Sequence, residues 1–146
     1  MKITLVSDLH LEFSDCFDIK NENNADVLIL SGDLCEAKNI KKEMYNRDMV
    51  LLEHERQDQR PDRFFRFLEE ECSKYKEVIY VMGNHEHYGG KFWKTKSELE
   101  RVLPKNVTIL ENQTQEYEGV VFIGATLWTD MNKSDPLTLA SMQNYM

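Results

Sequence analysis

Three short clusters in this sequence hold side chains that could bind a metal or move a proton: Asp8-Leu9-His10, Gly32-Asp33 and Gly83-Asn84-His85-Glu86. Each directly follows an apolar run. Two carboxylates (Asp8, Asp33), an imidazole (His10) and an amide oxygen (Asn84) form a mixed hard and borderline donor set. Such a set suits Mn²⁺, Fe²⁺, Zn²⁺ or Mg²⁺ rather than a thiolate-loving metal. His85 adds a second imidazole beside it. Asp8 and His10 are two apart, so on an extended strand they share a face. Gly32 and Gly83 let the backbone turn sharply beside them. Taken singly, each cluster has a plain structural reading: an Asp after a strand caps a turn or helix, and Gly-Asp or Gly-Asn is a turn. The conjunction, in order and each at the end of a buried strand, points to a metal site.

The elements that must position these residues follow from hydrophobic patterning. Lys2–Ser7, Ala25–Asp33 and Val78–Met82 read as three buried strands. Residues 14–24 read as a loop. The charged stretch 36–60 reads as one or two helices, with His54 on a solvent-exposed face. Pro61 suits the first turn of a further helix running to about Lys76, with Phe64, Phe65, Phe67, Leu68, Cys72 and Tyr75 as its apolar face. Gly89-Gly90 reads as a flexible joint. Residues 92–103 predict a helix with Phe92, Leu99, Val102 and Leu103 inward and Pro104 just past its end. Asn106–Asn112 reads as a strand, and TQEYEGVVFIGATLW as a hairpin turning at Glu118-Gly119. Strands alternating with helices make an α/β domain, whose functional loops lie at the carboxyl ends of its strands.

The chain has 146 residues, room for one ordinary domain. Its net charge of −8 opposes a phosphate backbone and disfavours long nucleic acids, while leaving open a small phosphorylated substrate at a local metal site. Cys16, Cys35 and Cys72 lie far apart with no CxxC pair, so reduced thiols and a cytoplasmic location are expected. The opening apolar run is too short for a signal-peptide core, and no stretch has the length of a membrane span.

In order and in strand context, DLH, GD and GNHE resemble the first three signature blocks of the calcineurin-like metallophosphoesterases, and GATLWTD (residues 124–130) resembles a segment of bacterial and phage members. The resemblance implies the amino-terminal half of a four-layer α/β/β/α sandwich, forming one incomplete domain over residues 1–146. It implies a phosphoesterase in which two divalent ions, manganese first and iron, zinc, nickel or magnesium as alternatives, activate a water. Asp8 and His10 would hold the first ion, Asp33 would bridge both and Asn84 would hold the second. His85 would be no ligand but would touch the phosphate, and Asp33 and His85 would carry the catalytic step. Glu86 is expected to support the site from behind, for instance through His85.

Later family motifs supply three more histidine ligands, and this sequence has no histidine after His87. The expectation is therefore a shortened or inactive form, completed by a missing carboxyl-terminal half or by a second copy. The alternative is a non-catalytic binding or regulatory protein on the same scaffold. His87 reads as a loop or cleft residue, and Phe92 and Trp93 as core and rim packing rather than a base-stacking platform. The expected substrate is a phosphorylated small molecule or nucleotide.

Overall fold

The computed structural model describes residues 1–14, 19–40 and 60–142. His54, Cys16 and most of the charged helical stretch lie outside the described residues. β1 (Ile3–Val6), β2 (Val27–Ser31), β3 (Glu77–Val81) and β4 (Val107–Ile109) form one parallel sheet in the order β1-β2-β3-β4. Parallel neighbours need crossovers, and α1 (Arg60–Glu70) and α2 (Phe92–Glu100) lie in the connections before β3 and before β4. The register pairs Leu5 with Ile29, and Leu28 with Val78. All four strands point the same way, so the three candidate clusters emerge along one edge of the sheet.

The central strands β2 and β3 are apolar on both faces because both of their faces are covered. On one side Leu28, Leu30, Val78, Tyr80, Val107 and Ile109 pack in a common core with α1 and α2. Phe64, Phe67 and Leu68 of α1, spaced i, i+3, i+4, are buried there with Leu99 of α2. Glu71, just past α1, is buried as well. Its carboxylate accepts the Ile19 N–H at 2.9 Å and the Lys74 ammonium at 2.9 Å, so the charge is compensated.

The other face is covered by a hairpin, β5 (Gln113–Tyr117) and β6 (Val120–Gly124). Its two-residue turn falls at Glu118-Gly119, where φ is 48° and 78°, the paired left-handed conformations of a tight hairpin. Phe122 packs with Val27, Ile79 and Leu110. Gly124 lies so close to the sheet that a Cβ on it would come within 2.3 Å of Leu110 Cβ and 3.1 Å of Val81 Cγ2. Gly124→Ala is expected to lift the hairpin from the sheet and destabilise the fold by about 1–3 kcal/mol. A shift of the urea midpoint at unchanged slope measures it; an unmoved midpoint would contradict this docking.

Several expectations are corrected. β1 is an edge strand whose second face lies bare: Ile3 and Leu5 are 46% and 65% exposed, and Thr4 and Val6 are only half-buried, so β1 is not the buried strand its pattern suggested. The helix before Lys76 stops at Glu70 and gives way to a 3₁₀ turn, Cys72–Lys74. α2 ends at Glu100 because Val102 and Leu103 both turn back onto the Leu99 carbonyl ahead of Pro104, which cannot continue a helix. Phe92 is exposed rather than inward, since it joins an aromatic group with His87 and Trp128. A terminal helix, Pro136–Met142, was not anticipated. Asp135 caps it by accepting the Thr138 N–H at 2.9 Å. No described helix is long and apolar enough to cross a membrane.

Candidate metal centre

β1 ends at Val6, and the chain then leaves the sheet with Asp8 and His10 in left-handed backbone conformations, φ 55° and 47°. They therefore do not share the face of an extended strand, as the spacing suggested. The loop is held instead by a ladder to the next one. Asp8 N–H donates to the Gly32 carbonyl at 3.1 Å, His10 N–H to that of Asp33 at 3.0 Å, and Leu11 N–H to that of Leu34 at 2.9 Å. Asp33 is left-handed too, with φ 53°. Positive φ is uncommon outside glycine and costs about 1–3 kcal/mol where it is strained. Turn residues elsewhere in the described chain, such as Asn24, Asn112 and Glu118, share it; what distinguishes Asp8, His10 and Asp33 is that the ladder between their loops holds them side by side.

The third loop packs against the second at closest approach. A Cβ on Gly83 would lie 2.2 Å from Asp33 Oδ1, and one on Gly32 (φ 87°) 3.1 Å from Gly83 Cα. Only glycine fits at either position. The contact lets His85 N–H donate to Asp33 Oδ1 at 3.0 Å, which fixes the Asp33 carboxylate. Potential ligand atoms of His10, Asp33 and His85 all lie within 4.8 Å of one another. Asp8 stands at the mouth, largely exposed. One of its oxygens contacts Ser7 Oγ and the other lies 3.9 Å from His10 Nε2. Asn84 donates its side-chain N–H to Tyr88 Oη at 2.6 Å, which leaves the amide oxygen as its available donor atom.

Glu86 does not work through His85. It is 1% exposed, and its carboxylate is the hub of two loops. Oε1 accepts Leu34 N–H at 2.7 Å and Tyr80 O–H at 2.6 Å; Oε2 accepts Gly83 N–H at 2.7 Å and Asp33 N–H at 3.2 Å. Burial pushes this carboxyl above the usual range, while the bonds from Tyr80, Leu34 and Gly83 pull the other way. Burial and the neighbouring Glu86 charge likewise push the Tyr80 hydroxyl well up, so it stays a donor.

Residues 1–140 match the family described as calcineurin-like phosphoesterase. The chain belongs to that family. It is also similar to an uncharacterized protein of Acanthamoeba polyphaga mimivirus, 29% identical over 136 residues, which cover 88% of this chain and 45% of the relative. The chain thus spans less than half the length of the curated relative it matches. No solved structure matches it.

Within this member of the family the donors present fit a divalent ion. Imidazole and carboxylate converge at His10 and Asp33, with Asp8 facing His10 Nε2. Two residues that sequence reasoning did not single out also belong here. Glu12 is buried, and its Oε1 lies 2.7 Å from His85 Nδ1 and 3.1 Å from His10 Nδ1. Its signal is the alternation Asp8, His10, Glu12. Tyr88 orients Asn84, and its ring lies against that of His85 with centroids 4.5 Å apart.

His87 does not join the cluster. Its ring stacks on Phe92 at 4.3 Å, and its Nδ1 pairs with Thr95 Oγ1 at 2.9 Å. Burial pushes its pKa below the ordinary histidine value. It packs the loop, in keeping with its reading as other than a ligand. Trp93 is exposed and stands outside this aromatic group. Cys35 and Cys72 are buried free thiols. Burial holds Cys35 far above its ordinary value and pushes Cys72 up to about 12, so neither is a ready nucleophile.

Proposed function

We propose that this chain carries the amino-terminal part of a dinuclear metal site that hydrolyses a phosphate mono- or diester, in a protein whose full architecture is a four-layer α/β/β/α sandwich. The observation that carries it is the convergence of His10, Asp33 and His85 at the ends of three adjacent parallel strands. Asp8 and His10 would hold a first divalent ion, manganese in the first instance; Asp33 would serve both ions, and Asn84 would serve the second through its amide oxygen. When bound, such ions activate water and neutralise phosphoryl oxygens during in-line displacement. His85 would contact the phosphoryl group and, as an imidazolium with Nδ1–H held by Glu12, would give its Nε2 proton to the departing oxygen, as the water oxygen bonds to phosphorus and the departing oxygen takes the electron pair of the broken P–O bond. The substrate is a phosphorylated small molecule or nucleotide, since the charge of −8 opposes long polyanions. The buried reduced thiols support a cytoplasmic setting.

A second reading, a binding or regulatory protein without catalysis, draws on the bare apolar side chains of Ile3, Leu5, Val121 and Ile123, which offer a surface to a partner or a further segment. One experiment addresses both. The chain is incubated with excess Mn²⁺, desalted and assayed by elemental analysis and with bis-p-nitrophenyl phosphate. The expected result is retention of about one ion per chain, from the better-furnished site. Retention of none would overturn the metal reading. Retention without any metal-dependent turnover, in a protein carrying the whole reading frame, would favour the binding reading.

A further inference from the structure

The placement of Glu12 has a consequence for both histidines of the centre. Its side chain is 2% exposed, and one oxygen, Oε1, serves His85 Nδ1 at 2.7 Å and His10 Nδ1 at 3.1 Å. The two rings meet edge to face with centroids 4.4 Å apart, which brings both Nδ1 atoms to one acceptor. The backbone holds that acceptor firmly. Leu11, fully buried, donates its N–H to Leu34, and the Glu12 carbonyl accepts from Arg63 of α1 at 3.1 Å. The other oxygen, Oε2, is buried with no hydrogen-bond partner among the described residues. A carboxylate can only accept, so each imidazole nitrogen facing it must carry a hydrogen. That leaves Nε2 of each ring without the tautomeric proton and free to act away from Glu12. For His10 the direction is visible, because Nε2 is the atom that faces Asp8.

We propose that Glu12 is the positioning residue that fixes both His10 and His85 as Nδ1–H tautomers, so that one buried carboxylate sets a metal ligand and the phosphate-facing imidazole together. The tautomers are a property of this chain's own residues; their catalytic meaning rests on the phosphoesterase reading. A partly charge-starved carboxylate behind two imidazoles also favours positive charge beyond them, whether a cation or a proton. The two histidines are then coupled: a change at Glu12 alters metal retention and the phosphate-facing ring at once.

The test is long-range ¹H–¹⁵N NMR of the ¹⁵N-labelled, metal-free full chain, at a pH where its histidines are neutral. His10 and His85 are expected as Nδ1–H forms, and finding either as Nε2–H overturns the proposal. This reading needs no variant and no activity, so it stands or falls apart from the phosphoesterase assignment. Glu12→Met keeps the side-chain length but removes the acceptor. It is expected to release at least one ring to the Nε2–H form and to weaken Mn²⁺ retention about 10–100-fold. Glu12→Gln keeps an acceptor oxygen and is expected to restore most of the tautomer. Equal behaviour of a folded Met and Gln variant would show that the oxygen is not the cause, and would also overturn the proposal. Tautomers as expected in a chain that binds no metal would refute the metal reading alone.

Discussion

Asp33→Asn is expected to abolish Mn²⁺ retention and, with it, metal-dependent hydrolysis of bis-p-nitrophenyl phosphate. The carboxylate stands in the middle of the cluster with His10 and His85, and it is the one group assigned to both ions. Loss of a residue that merely orients a ligand typically costs 10–100-fold in metal affinity, so loss of the charged bridge should cost at least about a hundredfold. The substitution is chosen because it spares the fold. An amide oxygen can still accept the His85 N–H that Asp33 Oδ1 now takes at 3.0 Å, and the volume at the Gly83 contact is unchanged. The metal-free variant should therefore melt as the parent does, while isothermal titration with Mn²⁺ shows the loss. A variant with parental melting and parental affinity would remove Asp33 from the centre and end the bridging assignment.

Much of this arrangement could be read from residue order. The parallel strands were legible because Val27–Ser31 and Glu77–Val81 are apolar on both faces, and the hairpin because Glu118-Gly119 interrupts two β-rich runs. Neighbouring strand ends then bring the clusters together without any further information. What could not be read is equally physical. Ile3 and Leu5 look the same in sequence whether a layer covers them or not, so the bare face of β1 was invisible. The left-handed turns at Asp8 and His10 depend on a backbone ladder to Gly32 and Asp33, a contact between loops far apart in the chain. Glu12 is an acidic residue that composition assigns to solvent, and Glu86 was expected to act through His85; only the closed loops show that Glu12 is buried and that Glu86 holds backbone instead.

The division of labour between those two glutamates bears on how such a site stays organised before any ion arrives. Glu12 faces imidazoles and Glu86 faces backbone. One sets the chemistry of side chains; the other sets the path of the loops that carry them. The strained conformations at Asp8, His10 and Asp33 persist because surrounding hydrogen bonds over-determine them, and the Asp33 end of that network runs through Glu86.

Glu86→Ala is accordingly expected to remove a large part of the domain's stability. The substitution strips acceptors from four donors at once: the N–H groups of Asp33, Leu34 and Gly83 and the hydroxyl of Tyr80. A buried donor left without a partner costs about 1–3 kcal/mol. Even with some donors recovered by water entering the gap, the loss is on the order of 4 kcal/mol or more, against a total stability of about 5–15 kcal/mol for a domain. Two companion variants separate this account from a simple cavity effect. Tyr80→Phe removes one donor together with its need, and is expected to cost only about 1 kcal/mol. Glu86→Gln fills the space but must turn its amide N–H groups towards two of the donors. The tolerable side is that of Tyr80, whose hydroxyl can rotate to accept, which leaves Leu34 N–H opposed. Its stability should fall between the other two variants in urea denaturation. A Gln variant as stable as the parent would mean that filled volume, rather than acceptor oxygens, holds the two loops together.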